Sequence, residues 1–428
     1  MKKQAASNKQ VRAWVIWALS SIFLFYKYVI EVSPSIMTGY LMKEYQIDGA
    51  GLGSLAATYF YAYLIMQIPA GLLLDKIGPR VTTTIAILCC AIGSLIFGMS
   101  DALLFATIGR FITGIGAAFA AVNCFKLLTN WFPMSRFAMM AGLMMTVGML
   151  GAVGGQAPLA KFVSIFGERE SIQLFALLGV VLAVVFFVVV KDHKDPVIIA
   201  HQKTQKIKPF TILTKIFSSK QSWVLSIYSG LAFAPISTFG GLWGVPFFEQ
   251  AYRVSHVEAA HFVSMIFLGF ALGAPLSGWF SDLTRSRKKV MTLGTAVSFV
   301  LLCVILYVPI SRVEILNGTL FLFGATLSCF LVSFTMIRET HRPIMAATAI
   351  GFMNSFDAFF ASFTDPLTGY ILDKNWSGKL AEGAAIFSSM NYRISLTLLP
   401  LFLLLSLIML LFIKETYKKG HVVPESFP

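Results

Sequence analysis

The chain has 428 residues, 57% hydrophobic and only 13% charged, where a soluble domain carries roughly a quarter charged residues. A soluble fold of this size lacks the interior to hide so much apolar surface, so lipid is the expected solvent. The formal net charge of +14 sits in short Lys and Arg clusters between apolar runs rather than on one basic face, which argues against a nucleic-acid partner and for charged loops flanking a bilayer.

Lipid offers no partner to an unpaired backbone group, so each long apolar run is expected to be a helix of about 20 residues. Such runs occupy 14–37, 50–74, 81–99, 103–126, 138–160, 171–190, 223–247, 260–280, 290–309, 315–337, 346–370 and 391–413. The first is too long for a signal-peptide core and lacks a small-residue cleavage site, so it is expected to remain as the first helix. Within it, FLFYKYVIEVSPSIM places Lys27 and Glu31 one turn apart on one face. Opposite charges inside an apolar helix need each other, a substrate or a proton. A substrate carboxylate is the expected partner of Lys27, with a purely structural ion pair as the alternative.

The second run carries Tyr59, Tyr63 and Gln67, and the fourth carries Arg110, Asn123 and Lys126. A guanidinium inside a span costs at least about 2.5 kcal/mol, so Arg110 either faces a wet cavity or a partner, or snorkels to an interface. The fifth run has small residues at helical spacing from Gly142 through Gly148, Gly151, Gly154 and Gly155, then Gln156 and Pro158, a pattern that lets backbones pack closely. The eleventh run holds Asn354, Asp357 and Asp365. Asp357 lies nearer the middle of its run and is favoured as a proton carrier, with Glu31 and Asp365 as further candidates. The single Asn, Gln and Tyr residues serve either substrate or helix-to-helix hydrogen bonds.

Most Lys and Arg residues fall in the termini and the even-numbered loops, which places both termini in the cytoplasm. The longest polar connection, 191–222, lies near the midpoint. It divides the chain into a bundle over 1–190, a cytoplasmic linker, and a bundle over 223–428. GLLLDKIGPR, from Gly71 to Arg80, and GWFSDLTRSR, from Gly278 to Arg287, follow the second helix of each half, as a duplicated six-helix unit requires.

The set Gly71, Asp75, Gly78 and Arg80, with its weaker copy at Gly278, Asp282 and Arg287, resembles the signature loop of the major facilitator superfamily. Arg110, Gly114 and Gly116 resemble that family's fourth-helix motif, and the glycine-rich fifth run resembles its fifth-helix motif. The resemblance implies twelve helices in two pseudo-symmetric six-helix bundles, working as a secondary transporter. Asp75, with the basic residues beyond it, is expected to latch across helices in one state of the cycle, or to form an ordinary solvated turn. Tyr59 to Arg80 and the SPSIM stretch are similar to phagosomal amino-acid transporters and their organic-anion and dipeptide relatives. That implies proton-coupled uptake of a small polar nutrient such as an amino acid. Alternatives are an organic anion, a nucleoside, a dipeptide, a carboxylate siderophore or, less favoured, drug efflux.

Lys27, Glu31, Tyr59, Tyr63, Arg110, Asn123, Gln156 and Asn354 are the expected substrate contacts. No enzymatic role and no cofactor are expected: the five cysteines lie in apolar runs, no metal constellation is visible, and no phosphate-binding loop of an ATP-driven pump occurs. The expected partners are a small-molecule substrate, protons and the bilayer, with the chain acting as a monomer. Short loops and tails favour a bacterial inner membrane over a eukaryotic one, despite the triplets at Asn317 and Asn375.

Overall fold

In a computed structural model, residues 2–132, 134–191, 209–342, 345–381 and 384–417 are described, and the fold is all-helical apart from one two-residue ladder between β1, Leu380–Ala381, and β2, Ala384–Ala385. The central stretch of the predicted linker, 192–208, lies outside the described residues.

The first half comprises α1 (Lys2–Val32), α2 (Thr38–Tyr45), α3 (Gly49–Ile77), α4 (Pro79–Met99), α5 (Leu103–Trp131), α6 (Met134–Gly154), α7 (Ala157–Phe166) and α8 (Glu168–Val189). The second comprises α9 (Pro209–Phe217), α10 (Lys220–Ala234), α11 (Gly244–Tyr252), α12 (His256–Leu283), α13 (Arg287–Tyr307), α14 (Val313–Leu327), α15 (Val332–Thr340), α16 (Ala346–Lys374), α17 (Ser389–Leu396) and α18 (Leu398–Phe412). Several expected spans are broken rods. α1 runs into the 3-10 turn Ser33–Ile36, α6 and α7 meet at Gly155 and Gln156, and α10 and α11 are joined by the π-helical segment Pro235–Trp243. Elsewhere the sequence punctuates cleanly. Gly78, at φ 101°, ends α3 where a side chain would be strained, and Pro79 starts α4 without needing an amide donor. Ser255 and Glu258 form a capping box at the start of α12.

Ten rods among the described residues have the length and apolarity to cross a membrane. Two further long helices, α3 and α16, are 29 residues each. They pack along one another, so protein rather than lipid covers much of their surface. Large apolar side chains such as Val184, Val188, Leu293 and Leu411 are exposed on the outside, the reverse of a soluble fold.

Two seams join the halves, α3 against α16 and α6–α7 against α12. On the first, the Gly49 and Ala50 amides donate to the Asp373 carboxylate at 2.8 and 2.7 Å, which seats an anion on the N-terminus of α3. A Cβ on Gly53 would stand 2.3 Å from the Asp365 carbonyl, so only glycine permits this approach. Toward the other end, Tyr63 meets Asn354, and beyond them a Cβ on Gly71 would meet nothing within 4 Å. The second seam repeats the pattern. The Ala157 amide reaches Ser264 Oγ at 3.2 Å, whereas Gly142 and Gly278, far along the same helices, face open space. Both seams are closed at the Gly49 end and parted at the Gly71 end. Asp373→Asn removes the charge that the second half places on the start of α3, beside the N-cap Asp48, and is expected to shift the closed end toward opening by about tenfold. Spin labels at Gln46 and Lys374 should then report a longer distance; an unchanged distribution would show that packing at Gly53 alone holds this end.

Candidate substrate cavity between the halves

The charged residues of the first span converge with those of the second and fourth. Lys27 Nζ pairs with the Glu31 carboxylate and lies 3.8 Å from the centre of the Tyr28 ring. Glu31 Oε2 also accepts from the Tyr59 hydroxyl at 2.7 Å. The face of Tyr59 lies 4.9 Å below the Arg110 guanidinium. A continuous chain therefore runs Lys27, Glu31, Tyr59, Arg110, in which the carboxylate pairs with Lys27 and reaches Arg110 only through the Tyr59 ring. Arg110 Nη1 donates to the Ile30 carbonyl at 3.0 Å, while its buried Nε has no partner among the described residues. Leaving such a donor bare costs about 1–3 kcal/mol. Arg110 does not snorkel: it is buried and opens into a cavity.

Two spaces adjoin this chain. One, about 520 Å³ counting space open to solvent, is lined by Arg110, Asp365, Pro34, Ser237, Gly241 and Phe267, among others. The other, about 350 Å³ counted in the same way, is lined by Lys27, Tyr59, Tyr63, Asn354 and Asp357. Tyr28, Glu31, Phe60 and Phe233 border both. Asp357 and Asp365 of α16 thus open into different chambers. Asp357 accepts from Ser229 Oγ at 2.7 Å and Asp365 from Thr238 Oγ1 at 2.7 Å. Both are buried, and neither has an ion-pair partner among the described residues.

The remaining expected residues scatter. Asn354 Nδ2 donates to the Tyr63 hydroxyl at 3.2 Å, joining the halves. Gln156 sits at the α6–α7 break and donates to Ser35 Oγ and to the Gly240 carbonyl, each at 3.0 Å, so it braces three irregular segments rather than lining either space. Asn123 is fully buried outside both chambers, and neither of its side-chain polar atoms has a partner among the described residues. Gln67 is buried and Lys126 half-buried, again away from the chambers.

At the parted end, Arg287 pairs with Asp282 and, at 3.2 Å, with Glu339. Glu415 accepts from Ser286 Oγ at 2.6 Å and from the Arg287 and Lys288 amides. Partial burial pushes its carboxyl up, and these hydrogen bonds outweigh that and hold it below the usual range. In the first half, Arg80 reaches α8: its Nε donates to the Phe187 carbonyl at 2.8 Å. The Asp75 side chain lies outside the described residues.

Sequence reasoning found the charged chain and both carboxyls but missed Tyr28, Ser229, Ser237 and Thr238. For Tyr28 the signal was its position beside Lys27; for Ser237 and Thr238 it was Pro235 with Gly240 and Gly241, which mark an interrupted helix.

The cavity between two helical halves, closed at one end and open at the other, is that of a secondary transporter. The sequence matches the Major Facilitator Superfamily over residues 16–364 and again over 243–426, and the chain belongs to that superfamily. It is 24% identical over 410 residues to a probable hexose phosphate transport protein of Chlamydia trachomatis, covering 87% of this chain and 88% of that one. It is 22% identical over 402 residues to a probable L-galactonate transporter of Escherichia coli K12, covering 87% of each. The fold is shared with a bacterial homolog of the human lysosomal transporter Spinster in an inward-facing, unoccupied conformation, at a TM-score of 0.76 and 14% identity over 94% of this chain and 97% of that one. It is a multi-pass membrane protein that moves small solutes and not an enzyme.

Proposed function

We propose that this transporter takes up a small organic anion together with a proton, by alternating exposure of the chambers beside Arg110 and Lys27. The carrying observation is the buried Arg110, whose Nε has no partner among the described residues, bordering the cavity between the halves together with Asp365. Lys27 and Glu31 cancel, so the ionised chain of Lys27, Glu31 and Arg110 carries one net positive charge, which one carboxylate or phosphate of a substrate neutralises. Both relatives named above are described as carrying anions. Asp365 shares the chamber with Arg110. An arriving anion repels its ionised form, so substrate and proton favour one another there. This reading ranks Asp365 above Asp357 as the coupling group, because Asp357 opens on the chamber of the already neutralised Lys27. The division into bundles over 1–190 and 223–428 joined by a cytoplasmic linker, the cytoplasmic termini and a bacterial inner membrane complete the proposal, supported by the loop charges. In that orientation the parted seams face the cytoplasm.

An amino acid is the second reading, favoured by one observation: Arg110 and Asp365 line a single cavity and so offer a cation and a carboxylate to a zwitterion. Competition separates the two readings. In liposomes containing the purified protein, a galactonate or hexose phosphate should displace bound substrate; displacement by neutral amino acids alone would favour the zwitterion. Replacing Lys27 and Glu31 together by Gln keeps the first helix neutral, and is expected to lower uptake about tenfold through the lost cation while leaving thermal stability intact. Full retention of uptake would make the pair purely structural.

A further inference from the structure

Serines and threonines in these helices usually spend their hydroxyl on the carbonyl one turn back: Ser20 on Ile16, Ser264 on Ala260 and Ser406 on Phe402. Ser237 does not. It lies in the π-helical segment Pro235–Trp243, is 8% exposed, and its Oγ has no partner among the described residues. It lines the same 520 Å³ space as Arg110 and Asp365. The next residue, Thr238, gives its hydroxyl to Asp365 at 2.7 Å, so the turn is anchored without help from Ser237. On the same segment Gly241 lines the cavity too, and a Cβ there would find its first neighbour only at 4.0 Å, which leaves room for a ligand beside the helix. π-helical segments are uncommon and recur at functional sites.

We propose that Ser237 is a specificity-determining residue that hydrogen-bonds a hydroxyl of the substrate, and that the substrate is therefore a hydroxylated carboxylate, its acid group on Arg110 and its hydroxylated body against the π-helical turn. This rests on the anion reading above. A buried hydroxyl left bare costs about 1–3 kcal/mol, and a substrate hydroxyl satisfies it where an aliphatic acid does not. Discrimination against deoxy analogues follows from the unmade bond.

The test uses the full chain in detergent or liposomes with gluconate, its mono-deoxy analogues, hexanoate and hexose phosphate as probes. Wild type is expected to bind gluconate more tightly than at least one mono-deoxy analogue and than hexanoate. Ser237→Ala should weaken gluconate about tenfold and leave that deoxy analogue unchanged. Ser237→Thr, which restores a hydroxyl, should recover part of the loss, and thermal unfolding of each variant checks the fold. If Ser237→Ala binds every probe as wild type does, or if wild type binds hexanoate as well as gluconate, the proposal is overturned. In either case, loss of binding in Arg110→Gln would still uphold the anion site. If Arg110→Gln binds like wild type, or no anion binds at all, the anion reading itself fails and takes this inference with it.

Discussion

Arg110→Gln is expected to lower uptake of an anionic substrate by at least about 30-fold, the largest single effect in the molecule. Removing one partner of a desolvated charge pair costs roughly 2–5 kcal/mol, and here the surviving partner would be the substrate. The apo protein should tolerate the change, because among the described residues the guanidinium makes one hydrogen bond, to the Ile30 carbonyl, and its Nε has no partner. Loss of uptake with an unaltered melting temperature is therefore the expected pair of results. Arg110→Lys keeps the charge but not the planar fork, and should recover only a fraction. Wild-type uptake in Arg110→Gln would overturn the anion site at Arg110.

The second large effect is on coupling. Asp365→Asn should abolish accumulation driven by an imposed pH gradient while exchange of labelled for unlabelled substrate continues, since a carrier that no longer titrates still alternates. Asn still accepts from Thr238 at the position the carboxylate now occupies, so the packing of α16 on the π-helical segment should survive. Asp357→Asn, whose contact is Ser229, is expected to keep accumulation. The opposite outcome, with accumulation lost in Asp357→Asn and kept in Asp365→Asn, would return the coupling role to the residue that depth in the helix alone favours.

Depth, charge and apolar run length were readable from the sequence because lipid makes them conspicuous. Twelve spans, the paired loops after Ile77 and Leu283, and the buried charges Lys27, Glu31, Arg110, Asp357 and Asp365 all stand out against an apolar background. Hydroxyls carry no such signal. A serine on a helix usually satisfies itself on its own backbone, so hydropathy cannot separate Ser229 or Ser237 from Ser20. The breaks at Gln156 and along 235–243 were hidden for a related reason: a run of apolar residues reads as one straight helix, while the hydrogen-bond register inside it depends on what packs alongside. Arg80, at the start of α4, lies with its guanidinium over Phe187 of α8, a partner that motif spacing alone does not name. The amino-acid expectation rested on Tyr59 to Arg80 and the SPSIM stretch. Much of both packs helices together, and the relatives named above are described as a probable hexose phosphate transport protein and a probable L-galactonate transporter.

The central claim is that one buried guanidinium between the halves selects an anion and that a proton travels with it. The most direct measurement is uptake into liposomes containing the purified protein, with labelled gluconate, galactonate, hexose phosphate and a set of amino acids, with and without an inward proton gradient, in wild type and Arg110→Gln. The account predicts that at least one of the anions accumulates, that the gradient raises its level, and that Arg110→Gln removes it. Accumulation of an amino acid that none of the anions inhibits, or anion uptake indifferent to Arg110, would contradict it.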